Sequence, residues 1–242
     1  MAKIRIAGFN PFEAALIMIV SIISAGFFVQ AAASGEGVEV IGYAALDLVA
    51  AFAGICSVVL CAKGKRSGFI FGLVNVICYA TVSYHNAYYG EVMLNVLFYI
   101  PSNIVAYVLW TRNKDHDRDD LEVKARAMKA WQLVVAVIVI AAVTVAYHFL
   151  LESLGGAMTY LDGATTVLSI FATVLMALRY AEQWFFWIVV DVLTVALWCF
   201  AGDPVMIIMW AAYLVNAVYG YLMWLNKSGR KVPFKALLDK AA

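Results

Sequence analysis

The chain reads as an all-α polytopic membrane protein of eight transmembrane helices. Two parallel three-helix repeats are joined by a linker helix (3+1+3), and one extra helix precedes them. Three observations predict this: apolar content, the length of the apolar runs, and a one-sided distribution of basic residues. Of 242 residues, 65% are hydrophobic and 14% charged, far outside the range of soluble domains. Apolar runs fall at roughly 11–33, 41–62, 68–85, 90–111, 130–151, 161–178, 184–201 and 204–226, each near the ~20 residues a hydrocarbon core requires. Only a helix or a closed barrel satisfies its backbone in lipid, and runs this continuous select the helix over alternating barrel strands.

Taken in order, residues 1–40 are predicted to hold the extra N-terminal helix. Lys3 and Arg5, the apolar run and then Ala31-Ala32-Ala33-Ser34 also resemble a signal peptide, but the run exceeds the usual length of about 7–15 apolar residues. Cleavage there would leave seven spans with the same loops inside. Residues 41–111 form the first three-helix repeat, 112–160 a charged cytoplasmic segment with the linker helix, 161–226 the second repeat, and 227–242 a basic cytoplasmic tail.

The 17 Lys and Arg residues orient this zigzag. Lys3 and Arg5, the turn Lys63, Lys65 and Arg66, the middle loop from Arg112 to Lys129, Arg179, and the tail from Lys227 to Lys240 all belong to one side. Opposite loops hold Glu36, Glu39, Glu91, Glu152 and Asp203 and no basic residue, so both termini are expected in the cytoplasm. Cys56, Cys61, Cys78 and Cys199 fall within or at the edges of spans with no C-x-x-C pair. They read as small core residues, neither disulfides nor metal ligands.

The chain also carries an internal copy. At an offset of 115, Leu46-Asp47 falls on Leu161-Asp162, Phe69 on Trp184, Phe71 on Phe186 and Gly72 on Trp187; at 114, Tyr99 falls on Tyr213, Tyr107 on Tyr221 and Trp110 on Trp224. A duplicated odd unit would invert, and the fifth span restores its orientation. The repeats are therefore parallel, as in carriers of the SWEET type.

Polar residues inside the spans form stripes at helical spacing. Trp187, Asp191, Thr194 and Trp198 share a face of span 7, with Trp184 one turn before Trp187; Tyr213, Asn216 and Tyr219 cluster in span 8. Asn95, Tyr99 and Asn103 cluster in span 4, and Gly72, Asn75 and Tyr79 in span 3. Singly, such residues are ordinary helix-packing amides and interfacial aromatics, and Trp198 and Trp224, near span ends, read as belt residues. Together with an ionisable residue near mid-membrane, Asp191, they indicate a polar cavity. Asp191 is either a cavity charge that favours cations or a buried hydrogen-bond partner of a neighbouring helix. Aromatic faces and a carboxylate suit a cation, amides suit a carboxamide or hydroxyls, and the absence of Lys or Arg from the spans disfavours phosphate.

Trp184-Phe185-Phe186-Trp187 as W-x-x-W, with Asn216-Ala217-Val218-Tyr219 as N-x-x-Y, resembles the PnuC family of nicotinamide riboside transporters; SGFIFGLVNVICYA and YYGEVMLNVLFYIPSNI resemble it too. The resemblance covers about residues 40–226. It implies uptake of nicotinamide riboside by facilitated diffusion through a bacterial inner membrane, for NAD synthesis, with trapping by a cytoplasmic riboside kinase. It also implies a homotrimer, and ligand contacts at Trp184, Trp187, Asn216 and Tyr219. Asp191, Asn75, Tyr79, Asn95, Tyr99 and Tyr213 complete the expected substrate-binding set. No cofactor, metal or nucleic acid is expected. Thiamine, carried by sister proteins on the same scaffold, is the alternative substrate, and a receptor without transport is a further reading. An intramembrane enzyme is disfavoured, because His85, His116 and His148 form no H-E-x-x-H and no span offers a Ser-His pair or acidic dyad.

Overall fold

The computed structural model describes residues 8–34, 37–85, 89–114, 123–153, 159–201 and 204–228. The acidic run 115–122, the loop residues Glu36 and Asp203, the tail from residue 229 and the side chain of Trp198 lie outside the described residues. The helices are α1 (Pro11–Ala33), α2 (Val38–Ala62), α3 (Ser67–His85), α4 (Tyr89–Leu94), α5 (Ile100–Arg112), α6 (Ala130–Ser153), α7 (Thr159–Ala177), α8 (Gln183–Ala201) and α9 (Pro204–Lys227), with a π turn at Asn95–Tyr99. Apart from isolated bridges such as Arg126 with Tyr180, the described residues contain no strand.

Among the described residues, six helices are long and apolar enough to cross a membrane: Pro11–Ala33, Val38–Ala62, Ser67–His85, Val92–Arg112, Ala130–Leu150 and Ile207–Leu225. On the sixth and seventh apolar runs the described stretches are shorter, Gly163–Ala177 and Gln183–Ala196, each preceded by an acidic residue, Asp162 or Glu182. The exposed faces are apolar; α6 presents Val134, Val135 and Ile138 outward, surface suited to lipid. The chain is thus a helical multi-pass membrane protein.

Two compact units divide the described chain, one ending at Val123 and the other starting at Lys124. In the first, α1 packs on α2, α2 on α3, and α3 on α4 and α5. Asn10 starts α1 with a capping box: its Oδ1 accepts from the Glu13 N–H at 2.8 Å, and the Glu13 carboxylate accepts from the Asn10 N–H at 2.9 Å. Pro11 occupies the first helical turn, where its missing N–H costs nothing. Glu13 is buried, and Lys63 Nζ, 50 residues on, donates to its Oε2 at 2.7 Å. Replacing Lys63 by Met strands that carboxylate and should destabilise the protein by about 3–5 kcal/mol. Denaturation in detergent checks this: Glu13→Gln in the Lys63→Met background should recover most of the loss, and its failure to do so would refute the pairing.

The turn from α2 to α3 recurs between α7 and α8 at the sequence offset of 115. Gly64 N–H donates to the Cys61 carbonyl and Lys65 N–H to Leu60, both at 2.9 Å; Arg179 N–H donates to Met176 and Tyr180 N–H to Leu175, both at 3.0 Å. Each pair of bonds closes its helix as a Schellman motif around a left-handed residue, Gly64 at φ 66° and Arg179 at φ 65°. Glycine adopts that conformation freely, whereas a side chain costs about 1 kcal/mol or more. Arg179→Gly should therefore raise stability by up to about 1 kcal/mol, read as an upward melting shift; a downward shift would mean the side chain contributes more than its strain.

The π turn has a local cause. Pro101 offers no N–H to the carbonyl of Leu97, and its ring crowds that carbonyl, so the ladder widens and Ile100 N–H reaches back to Asn95. Gly68 lets α3 approach α2 closely: an added Cβ would lie 2.7 Å from Cys61 Sγ and 2.9 Å from the Ser57 carbonyl.

In the second unit, α7 packs on α6 and α8, and α8 on α9. Its core holds Met128, Ala136, Ile140, Leu168, Ala172, Leu175, Phe186 and Val190. The segment before α6 is strapped onto the α7–α8 turn. Arg126 N–H donates to the Arg179 carbonyl and Ala181 N–H to the Arg126 carbonyl, both at 2.8 Å, and Met128 N–H donates to Glu182 Oε2 at 3.0 Å. Partial burial and the neighbouring charge of Arg126 hold the Arg179 guanidinium below its ordinary pKa.

Two expectations are corrected. Trp224 is no belt residue: it is fully buried, because α8 places Trp184 edge-on against it. Cys199 is exposed rather than core, although Cys56 and Cys61 are buried, and all four cysteines are free. Tyr79, on its stripe of α3, is 43% exposed.

Candidate functional site

The α7–α8 turn launches α8 with two buried polar residues, Glu182 and Gln183, immediately before the W-x-x-W segment. Glu182 is occupied by the backbone of Met128. Trp184 is 3% exposed and meets Trp224 of α9 edge-to-face, with ring centres 6.4 Å apart at 66°. This contact depends on Gly220, where an added Cβ would lie 2.8 Å from the Trp184 ring. The first unit repeats the arrangement at equivalent positions, with Phe69 and Trp110 edge-to-face at 4.7 Å and 85°.

One turn further along α8, Trp187 is half-buried and packs beside the apolar core of the second unit. Asp191 follows, buried at 3% exposure and within electrostatic reach of Tyr213 on α9. Thr194 spends its hydroxyl on the Val190 carbonyl at 2.8 Å. On α9, Asn216 is buried at 1% exposure, Tyr219 is half-buried, and Tyr213 meets Trp210 edge-on at 5.7 Å. The packed pair α8–α9 therefore gathers Trp184, Trp187, Asp191, Tyr213, Asn216 and Tyr219 in one unit.

The remaining predicted residues lie in the first unit. Asn75 Nδ2 donates to the Ala50 carbonyl of α2 at 2.8 Å, a helix-to-helix tie. Asn95 is buried at the head of the π turn, and half-buried Tyr99 closes it. Asn103 donates to the Tyr99 carbonyl at 2.9 Å, and its Oδ1 crowds the backbone of Gly72.

Sequence reasoning passed over two features. At the start of α2, Glu39, Tyr43 and Asp47 line a cavity of about 440 Å³ with Val82 and His85 of α3; His85 stacks on Tyr43 at 3.7 Å and lies 3.4 Å from Glu39. The recurrence of Glu39, Tyr43 and Asp47 every four residues was the available signal. Second, three buried polar atoms cluster at the head of α8. Both amide atoms of Gln183 and Trp184 Nε1 find no hydrogen-bond partner among the described residues. The described residues form no group of His, Cys, Asp and Glu able to hold a metal.

A family model described as nicotinamide mononucleotide transporter matches residues 44–226. A nicotinamide riboside transporter PnuC of Neisseria mucosa is 43% identical over 189 residues, covering 74% of this chain and 71% of that protein. The chain belongs to the PnuC family. The PnuC of Haemophilus influenzae is 33% identical over 221 residues, covering 90% and 92% of the two chains. A crystal structure of the vitamin B3 transporter PnuC superposes with a TM-score of 0.75 at 38% identity, covering 92% of this chain and 94% of that one. This PnuC family member is accordingly a membrane transporter and not an enzyme.

Proposed function

We propose that this PnuC family member carries nicotinamide riboside inward by facilitated diffusion, with both termini in the cytoplasm and a cytoplasmic riboside kinase trapping the product. The observation that carries the reading is the α8–α9 pair. It unites the W-x-x-W and N-x-x-Y residues with a buried carboxylate, Asp191. Aromatic faces and Asp191 suit the pyridinium cation, and the amide of Asn216 suits its carboxamide or ribose. Similarity to proteins named nicotinamide riboside transporters supports this substrate. The family description names the mononucleotide, but a phosphate would need a cation, and none of the Lys or Arg falls within the predicted spans. For the architecture we propose eight spans in a 3+1+3 arrangement with parallel repeats. Its support is the turn and aromatic pair shared between α2–α5 and α7–α9.

The test is flux into proteoliposomes. Nicotinamide riboside should enter and the mononucleotide should not; binding without flux would leave a receptor, and preferential entry of thiamine would reassign the substrate. Trp187→Ala and Asn216→Ala should each weaken riboside binding by severalfold to about thirtyfold, the loss expected for a cation–π face or a buried amide contact. Wild-type affinity in both by titration calorimetry would leave these residues a packing role. Asp191→Asn should lower affinity for cationic ligands selectively if the carboxylate serves the cavity. The orientation is checked by cysteine labelling, which from outside should reach Ser153→Cys and not Ser228→Cys.

A further inference from the structure

The two copies of the α2–α3 and α7–α8 turn differ in a pattern. The offset of 115 places Gly64, Gly68 and Gly72 of the first opposite Arg179, Gln183 and Trp187 of the second. Gly68 and Gly72 sit four residues apart on α3, and a Cβ at either would collide, at Gly68 with Cys61 and Ser57 of α2 and at Gly72 with Ser57 and with Asn103 of α5. On α8 the same stripe carries full side chains. The packing of this turn therefore does not itself demand a glutamine at residue 183.

Gln183 is nonetheless fully buried, and neither its Nε2 nor its Oε1 has a hydrogen-bond partner among the described residues. A buried amide left unpaired is costly, and native proteins seldom keep one without a function. Its position supplies one: Gln183 lies one turn before Trp187 on the face that continues to Asp191 and Thr194, at spacings of four, eight and eleven residues. It adjoins Trp184, whose indole N–H is likewise buried without a partner.

We infer that Gln183 is a specificity-determining contact of the transport site, its amide pairing with the carboxamide of the ligand. A primary amide offers a donor and an acceptor side by side, and a second primary amide presents the complementary pair, so two hydrogen bonds close in one plane. A ring cation without a carboxamide cannot complete the pair. Gln183 thus separates nicotinamide riboside from other cationic rings that stack equally well on tryptophan. The inference rests on the substrate reading above and adds the residue that reads the carboxamide.

The experiment edits residue and ligand together. Titration calorimetry on the purified full chain compares nicotinamide riboside with 1-ribosylpyridinium, which lacks only the carboxamide, in wild type and in Gln183→Met, a near-isosteric apolar replacement. Wild type should bind the riboside about tenfold or more tighter than the analogue, from two hydrogen bonds relieving unpaired groups. In Gln183→Met the riboside should lose about that factor while the analogue stays within twofold. Equal losses for both ligands, or none for either, overturn the inference. So does a variant that fails to fold or melts well below wild type, because it would show that the amide is already paired in the free protein. Wild type failing to bind the riboside at all would instead remove the substrate reading, an outcome visible before any variant is made.

Discussion

Inside-negative proteoliposomes containing this protein should accumulate nicotinamide riboside about fiftyfold over the external level at 100 mV. Under the proposed uniport each cycle returns the protein to its starting state, so the net charge moved is that of the substrate, one positive charge. A membrane potential contributes about 2.3 kcal/mol per elementary charge per 100 mV, which converts to that ratio at equilibrium. Collapsing the potential should release the accumulated riboside. Exchange of one proton for substrate at Asp191 would cancel the charge movement and make the ratio follow the pH gradient instead. We expect uniport because the stripe continuing from Asp191 on α8, Thr194 and Trp198, offers no second ionisable group as a relay. The measurement is the steady-state ratio under a potassium diffusion potential at equal pH. A ratio of unity, or one that tracks pH at zero potential, would exclude uncoupled cation transport.

The second large effect is expected at Gly220. A single methyl group there would lie 2.8 Å from the indole of Trp184, which is itself wedged against the fully buried Trp224. The Trp184 ring or the backbone of α9 must shift to admit it, so Gly220→Ala should destabilise by about 1–3 kcal/mol through overpacking. Trp184 must also shift within the proposed site, so riboside affinity should fall in parallel. Trp184→Ala removes the ring atoms that collide, and combined with Gly220→Ala it should leave stability near that of Trp184→Ala alone. A double-mutant cycle over melting temperatures reads this coupling directly. Additive losses would mean that the contact between Gly220 and Trp184 does not limit the packing of α8 on α9.

The helical membrane class was legible because its signal is collective: long apolar runs leave few other structures for a backbone in lipid. Trp187, Asp191 and Asn216 could be singled out as candidates because polar and aromatic side chains at helical spacing stand out against Val, Leu and Ile. Trp224 was misread because a tryptophan near a span end looks the same whether it faces headgroups or a neighbouring helix; only the partner ring on α8 decides. Glu182 and Gln183 escaped notice because, beside a turn full of polar residues, nothing in the sequence marks them as buried. The repeat was visible in Phe69 and Trp184, yet its sharpest feature, two left-handed residues closing two helices with the same bonds, is a property of backbone angles. Arginine at residue 179 gives no sequence hint of that conformation.

The bond between Glu13 and Lys63 has a consequence for how the chain is made. Synthesis delivers the carboxylate 50 residues before the ammonium group that neutralises it, an interval of roughly 2.5 to 10 seconds at about 5–20 residues per second. Through that interval α1 carries an uncompensated charge at its N-terminal end, which holds this end near the headgroups and against deeper entry into the bilayer. Arrival of Lys63 lets α1 and α2 settle as a hairpin. The first helix is therefore anchored by the turn that follows the second, and the nascent chain commits to its orientation in pairs of spans rather than one span at a time.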